Sequence, residues 1–140
     1  MSRLKIFTDG GARGNPGPAG TGIVIKENGK TIKEYGEYIG VATNNQAEYR
    51  ALISALESAR DMKAEEVNIF MDSELIVKQV KGQYKVKHPG LAPLFLKLYN
   101  LRTGFKKFSI THVRREKNKE ADALVNRAID GGLPPSPKGD

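Results

Sequence analysis

Alternation of apolar and polar residues predicts three consecutive strands in the first third of the chain. The first strand spans Arg3–Asp9 and leads into a turn-rich stretch, Gly10–Gly20, which we interpret as a loop. The other two span Thr21–Lys26 and Thr31–Val41, with Asn28-Gly29 between them as a hairpin turn. Short connections of this kind favour an antiparallel three-strand meander.

The remainder of the chain has mainly helical periodicity, interrupted by short apolar strands. A helix over Thr43–Met62 carries its alanines and leucines on one stripe, and either Thr43 or Asn44 can cap its start. The elements that follow are a strand over Val67–Met71, a helix over Ser73–Val80, a loop over Gln83–Gly90, a helix over Leu91–Leu101, a strand over Phe108–Arg114 and a helix over Lys119–Ile129.

This order predicts an α/β fold with a five-stranded mixed sheet flanked by helices, since strands that alternate with helices make right-handed parallel crossovers. Three strands come from the antiparallel meander, and two further strands run parallel. Residues 1–130 are expected to form one domain, and the glycine- and proline-rich residues 131–140 a disordered tail. Ligands of such sheets gather beyond the carboxyl ends of the parallel strands.

Composition excludes several kinds of chemistry. The 140 residues, of which 39% are hydrophobic and 28% charged, suffice for one packed domain. The chain has no cysteine and two histidines, which excludes disulfides, a thiol nucleophile and metal sites made of thiolates or histidines alone. A metal would need oxygen ligands, which favours Mg²⁺, Mn²⁺ or Ca²⁺. No membrane span or secretory signal is visible, so we expect a cytoplasmic protein.

The net charge of +7 is concentrated in one part of the sequence. From Lys78 to Lys119 there are 12 lysines and arginines and one acid, whereas the stretches before and after it each carry a net charge of −2. Such a basic block favours a polyanionic partner, most often nucleic acid, although a solvated surface would have the same composition.

Two aspartates are predicted to meet at one end of the sheet. Strand parity puts Phe7 and Asp9 on the same face of the first strand, and Phe70 and Asp72 on the same face of the fourth. If these two strands are parallel neighbours, Asp9 and Asp72 lie side by side.

Glu48 and Asp122 border the apolar stripes of their helices and complete a set of four acids. Either acid alone also fits a simpler role, in which it complements a helix dipole. Four converging carboxylates repel one another, and a cation relieves that repulsion. An oxygen-only Mg²⁺ site suits phosphoryl chemistry, in which two ions activate water and stabilise the leaving oxygen.

Four motifs in order resemble the type 1 ribonuclease H family, over about Arg3–Ile129. They are TDGGARGNPGPAG from Thr8, TNNQAE from Thr43, the pair Asp72-Ser73, and NKEADALV from Asn118. The resemblance implies a ribonuclease-H-like fold and an endonuclease that cleaves the RNA strand of RNA/DNA hybrids, leaving 5′-phosphate and 3′-hydroxyl ends. It implies two Mg²⁺ ions, replaceable by Mn²⁺, in a monomer with no small-molecule cofactor.

The resemblance also assigns roles to individual residues. It makes Asp9, Glu48, Asp72 and Asp122 the catalytic and metal-binding acids. The substrate-binding residues that it implies are Gly10, Gly11, Asn15, Thr43, Asn44, Asn45, Ser73 and Asn118. Asparagine amides and glycine-rich backbone can read the 2′-hydroxyl of RNA without regard to base identity. Helix capping is an alternative role for Asn44 and Asn45, and turn geometry is one for Gly14, Gly17 and Gly20.

The chain departs from the family pattern in two places. Many bacterial members have a histidine in the loop before the last helix, where this chain has Arg115. Arginine stays protonated near neutral pH, so we assign Arg115 an electrostatic catalytic role at the scissile phosphate, against the alternative of a solvated basic loop. The family's basic protrusion is also missing. Lysines that can supply part of its attraction for the nucleic-acid backbone are Lys78, Lys81, Lys85 and Lys87.

Two other functions stay open from the sequence. A ribonuclease-H-like module could bind hybrids or protein without cleaving, although the presence of all four acids argues against this. A broader two-metal nuclease could also cut double-stranded RNA, and the missing protrusion leaves that breadth undecided.

Overall fold

The computed structural model describes residues 2–133, which form five strands, four α-helices and one 3-10 turn. In chain order the elements are β1 (Arg3–Ala12), β2 (Gly17–Glu27), β3 (Lys30–Ala42), α1 (Asn44–Asp61), β4 (Glu66–Met71), α2 (Glu74–Val80), α3 (Ala92–Arg102), β5 (Lys107–His112) and α4 (Lys119–Gly132). A 3-10 turn over Arg115–Lys117 precedes α4.

The strands form one mixed sheet in the order β3-β2-β1-β4-β5. The meander β1–β2–β3 is antiparallel, and β4 and β5 extend it in parallel from β1. This arrangement confirms the predicted sheet. Because β1 and β4 are parallel neighbours, their carboxyl ends open onto the same edge.

Helices cover the two faces of the sheet. On one face α1 packs against β1 and β2, with α3 lying against α1. The core of this side consists of fully buried aliphatic side chains, which include Ile6, Ile23, Leu52, Leu56 and Ile69. Burial of each such side chain contributes about 1.5–3 kcal/mol. On the other face α4 packs against β2, β3 and β1, where Ala121 and Leu124 meet Val24.

The prediction of a loop over Gly10–Gly20 was wrong for most of its length. β1 and β2 continue through it as a hairpin and pair as far as Ala12 with Ala19, so only the residues between the two strands turn. The glycines make room for other parts of the protein: a Cβ on Gly20 would lie 3.0 Å from Ile129 Cγ1 of α4. Gly17 approaches the Arg13 backbone in the same way. Close packing against protein, rather than against substrate, explains these two glycines.

Two predicted boundaries also shift. β5 ends at His112, two residues before the predicted end, because Arg114 leads into the 3-10 turn. α4 continues through Gly131 and Gly132, which were assigned to the tail. Residues 134–140 of that tail lie outside the described residues. Within residues 2–133, no helix is both long enough and apolar enough to cross a lipid bilayer.

Candidate active site

Parallel pairing of β1 and β4 brings Asp9 and Asp72 together at the carboxyl edge of the sheet. Phe7 pairs with Phe70 in register, and their rings stack with centroids 5.3 Å apart. The aspartates follow two residues later, on the same face as the rings. The two carboxylates therefore lie side by side, as strand parity predicts.

Glu48 reaches the same edge from α1, and the backbone of Gly10 holds it there. The Gly10 N–H donates to Oε1 of Glu48 at 2.9 Å and to Oδ1 of Asp9 at 3.0 Å. Both acids are nearly enclosed, with 7% of Asp9 and 8% of Glu48 exposed. Carboxylate oxygens of Asp9, Glu48 and Asp72 all lie within 4.8 Å of one another.

Asp122 borders this cluster from α4, which lies on the face of the sheet opposite to α1. It lies in the first turn of α4 and is half-buried. Its carboxyl interacts with that of Asp9, although it is not among the three whose oxygens lie within 4.8 Å. The four acids come from four different elements or their ends, so the fold and not the local sequence assembles them.

Burial and mutual repulsion raise the pKa values of two of these carboxyls above their ordinary range. Desolvation is the largest cause that raises the pKa of Asp9 to about 8, followed by the charge of Asp72 and the contact with Asp122. Burial also raises the pKa of Glu48 well above its ordinary value, with further contributions from the charges of Asp9 and Asp72. The Gly10 N–H opposes both shifts without cancelling them.

The cluster fits a divalent cation. Its donors are carboxylate oxygens, which hard cations such as Mg²⁺ and Mn²⁺ prefer. No basic side chain of residues 2–133 is among the groups that set the raised pKa values of Asp9 and Glu48. A bound cation would supply positive charge and favour the ionised carboxylates. Asp9, Glu48 and Asp72 can therefore hold a divalent metal ion.

The acids line an open cleft of about 350 Å³. Arg115, in the 3-10 turn before α4, lines the same cleft and is exposed. A cation beside four acids would offset their repulsion of an approaching phosphate group.

Four of the predicted substrate-binding residues line this cleft, namely Gly10, Gly11, Asn44 and Asn45. Asn44 accepts a hydrogen bond from the Ala12 N–H at 2.7 Å, and Asn15 accepts one from the Asn44 N–H at 3.1 Å. These side-chain oxygens tie the β1–β2 turn to the start of α1. Among residues 2–133, the NH₂ groups of Asn15 and Asn44 find no acceptor in the protein.

Thr43 and Ser73 cap helices at the edge of the site. Thr43 Oγ1 accepts from the Gln46 N–H at 3.1 Å, and the Gln46 side chain accepts from the Thr43 N–H in return. Ser73 Oγ accepts from the Ile76 N–H at 3.3 Å at the start of α2. The Thr43 cap fixes the start of α1, which carries Glu48, and the Ser73 cap fixes the start of α2, which follows Asp72.

Asn118 is buried inside the protein. The resemblance to ribonucleases H, in contrast, implies that this residue contacts the substrate. Its side chain is 1% exposed, and Nδ2 donates to the Thr8 carbonyl oxygen at 2.8 Å. This bond ties the start of α4, and with it Asp122, to the strand residue that precedes Asp9. Asn118 does not line the cleft in this structure, and its contact with substrate stays a prediction.

The sequence reasoning missed the cleft wall beyond Asp122. Val125, Asn126 and Ile129 line the cleft along α4, and Arg13 lines it from the β1–β2 turn. The helical spacing of four and seven residues after Asp122 is the signal that could have identified Asn126 and Ile129. Arg13 offered no such signal, because the stretch around it was interpreted as an irregular loop.

Comparisons with known proteins relate this chain to ribonucleases H. A family model described as "Reverse transcriptase-like" matches residues 7–128. The chain is 45% identical to ribonuclease HI of Halobacterium salinarum over 129 residues, which are 91% of this chain and 65% of that protein. It is 43% identical to a bifunctional protein of Mycobacterium tuberculosis, covering 91% of this chain and 36% of that protein. The chain thus spans less than two thirds of these two relatives.

The match covers nearly the whole of two solved ribonuclease H structures. The Halobacterium salinarum enzyme superposes with a TM-score of 0.90, covering 93% of this chain and 99% of that one. LC11-RNase H1, crystallised in complex with an RNA/DNA hybrid, is 49% identical with a TM-score of 0.88, and the match covers 94% of this chain and all of that one. By sequence match, fold and topology, the chain belongs to the ribonuclease H family and resembles its type 1 members.

Proposed function

We propose that this chain is an endoribonuclease that hydrolyses the RNA strand of RNA/DNA hybrids and uses Mg²⁺, with Mn²⁺ as a substitute. The observation that carries the proposal is the cluster of Asp9, Glu48 and Asp72, with carboxylate oxygens within 4.8 Å of one another in an open cleft. The hybrid bound to LC11-RNase H1 supports the choice of substrate.

The four acids would hold the metal together. Asp9, Glu48 and Asp72 would bind it directly, and Asp122 would complete the site from α4. Two Mg²⁺ ions held by these carboxylates would supply an activated water and charge stabilisation for the leaving oxygen. The Gly10 N–H keeps the Asp9 and Glu48 carboxylates oriented toward the cleft. Water would attack the phosphorus, and the bond from phosphorus to the 3′-oxygen would break. The phosphate would stay on the downstream product, which leaves 5′-phosphate and 3′-hydroxyl ends.

Substrate choice rests on donors at the start of α1 and in the β1–β2 turn. The NH₂ groups of Asn15, Asn44 and Asn45 can donate to 2′-hydroxyls and groove acceptors, which distinguishes RNA from DNA. Thr43, at the N-cap of α1, lies where a DNA phosphate can approach a helix N-terminus. Between α2 and α3, the exposed Lys81, Lys85 and Lys87 add attraction for the backbone.

A cleavage assay on three substrates tests the proposal. Labelled RNA/DNA hybrid, double-stranded RNA and double-stranded DNA of one sequence are incubated with protein and Mg²⁺, and Asp72→Asn serves as the control. We expect the wild type to cut only the RNA of the hybrid, and the variant to be inactive. Equal cutting by both proteins would indicate a contaminant. Binding of the hybrid without cutting would instead favour a non-catalytic module, and cutting of double-stranded RNA a broader nuclease.

A further inference from the structure

Arg13 lines the same cleft as the four acids, at the tip of the β1–β2 hairpin. Its backbone N–H donates to the Pro18 carbonyl oxygen at 2.8 Å, which closes the turn. Its guanidinium lies against α4, where Nη1 donates to Asp130 Oδ1 at 2.6 Å and Nη2 to the Asn126 carbonyl oxygen at 3.4 Å. The side chain is 42% exposed.

The ion pair with Asp130 does not by itself account for this arginine. Both side chains are well exposed, and ion pairs of this kind contribute about 0–1 kcal/mol to stability. A guanidinium has five N–H donors in a rigid fork, and its bonds to Asp130 and Asn126 do not use all of them. The contacts to Asp130 and Asn126 hold the fork in place, which lowers the entropy cost of binding an anion.

The position of Arg13 along α4 separates it from the reacting centre. Asn126 and Asp130 follow Asp122 by four and eight residues, which is about 6 and 12 Å along a helix. Phosphates of one strand recur about every 3.4 Å along the axis of a B-form duplex. A phosphate at Arg13 is therefore a different one from the phosphate among the carboxylates.

Arg13 and Arg115 are the cations that line the cleft in the described part of the chain. Arg115 lies before the first turn of α4, and Arg13 contacts its later turns. Four acids repel a polyanion, and a cation on each side of them offsets that repulsion along a strand that crosses the site.

We propose that Arg13 forms a second phosphate subsite, which binds an RNA-strand phosphate about two to four nucleotides from the scissile one. The inference rests on the proposed function, since it needs a nucleic-acid strand whose scissile phosphate lies at the acids. The subsite sets affinity and register on the substrate and takes no part in the chemical step. Its ligand is a phosphodiester, held by charge-assisted hydrogen bonds from the guanidinium fork.

The test measures hybrid binding in EDTA, where no cleavage occurs, by fluorescence anisotropy at salt concentrations from about 50 to about 200 mM. Arg13→Ala should weaken binding about fivefold to tenfold and lower the salt slope by about one. Arg13→Lys, which keeps the charge and loses the fork, should fall in between. Arg60→Ala is the matched control: Arg60 also forms an exposed ion pair, at the far end of α1, and should change affinity less than twofold.

A double-mutant cycle locates the phosphate. Hybrids with one neutral methylphosphonate at successive RNA positions near the cleavage point are compared for wild type and Arg13→Ala. At one RNA position the methylphosphonate should weaken binding by the wild type but hardly change binding by Arg13→Ala, because the variant has already lost the contact with that phosphate. Additive losses at every position would overturn the proposal and leave Arg13 a structural link between the turn and α4. Mg²⁺-dependent cleavage by the wild type, measured in parallel, reports separately on the proposed function.

Discussion

The backbone N–H of Gly10 donates to Oε1 of Glu48 at 2.9 Å, across 38 positions of sequence. This contact requires the end of β1 to approach the backbone of α1 closely, and a Cβ on Gly10 would collide with the Ala47 carbonyl group. The absence of a side chain at Gly10 is therefore what allows a strand carboxylate and a helix carboxylate to share one site.

Gly10→Ala should destabilise the protein and separate Asp9 from Glu48. Overpacking of a tight contact costs about 1–3 kcal/mol, and the displaced strand end should weaken metal binding as well. Urea denaturation and Mg²⁺ titration of the purified variant measure the two effects. Gly11→Ala is the control for stability, because its Cβ would meet Val125 Cγ1 at an ordinary 3.5 Å. Equal stability of the two variants would contradict the steric explanation.

Metal-free protein should lose stability as the pH rises from about 4 to about 8. The pKa of Asp9 is 3.8 in the ordinary state and about 8 in the folded chain, so in this window the folded state keeps a proton that the unfolded chain has released. Stability from this group is full below pH 4 and is lost as the pH passes through 8, at up to about 1.4 kcal/mol per pH unit.

Thermal denaturation in EDTA between about pH 5 and pH 9 measures this dependence. Asp9→Asn keeps the acceptor for the Gly10 N–H and removes the titrating group, so its melting temperature should fall less with pH. Parallel curves for wild type and variant would show that Asp9 does not titrate in this window. The raised pKa of Glu48 acts in the same direction, so part of the slope should remain in the variant.

Much of this site follows from the sequence, because strand parity and pairing are local rules. The spacing Phe7-to-Asp9 and Phe70-to-Asp72 needs only a two-residue repeat and parallel neighbours to place both aspartates together. The three-strand meander is predicted by the alternation of apolar and polar residues before Ala42, and the change to helical periodicity after Ala42 marks its end.

The parts that the sequence did not reveal depend on contacts between distant segments. Gly10–Gly20 has the composition of a loop, and only the proximity of α1 and α4 makes glycine the residue that fits a paired strand there. Asparagine is mostly a surface residue, yet Asn118 is buried, and its Nδ2 donates to the Thr8 carbonyl oxygen. The contact between Arg13 and Asp130, on which the proposed phosphate subsite rests, likewise joins residues that are 117 positions apart.

Mg²⁺ should stabilise the folded protein at pH 8, and Asp72 should matter more for this than Asp122. Free metal at a hundred times its dissociation constant adds about 2.7 kcal/mol to the free energy of unfolding. Asp72→Asn removes one of the three carboxylates with oxygens within 4.8 Å, whereas Asp122→Asn removes an acid at their border. Calorimetric titration with Mg²⁺ and Mn²⁺ should therefore show the larger loss of affinity for Asp72→Asn.

The control for this comparison is Glu120→Gln, in the same turn of α4 as Asp122. Glu120 is exposed and pairs with Lys26 at 3.1 Å, away from the acidic cluster. Its replacement should leave the Mg²⁺-induced stabilisation unchanged. Equal losses for Asp72→Asn and Glu120→Gln would mean that the metal responds to net charge and not to the cluster.

Arg115→Ala should lower kcat/KM on a hybrid about tenfold to a hundredfold, as expected for the loss of a charged donor beside a reacting phosphate. Arginine keeps its proton throughout the working range, so the loss should be the same at every pH between about 6 and 9. A group that transfers a proton would instead change the shape of the pH–rate profile. Arg114→Ala is the matched control, because Arg114 is the adjacent arginine, its side chain is 85% exposed, and it does not line the cleft. If the two alanine variants cleave and bind equally well, Arg115 belongs to a solvated basic loop and the phosphate depends on the metal site for its charge neutralisation.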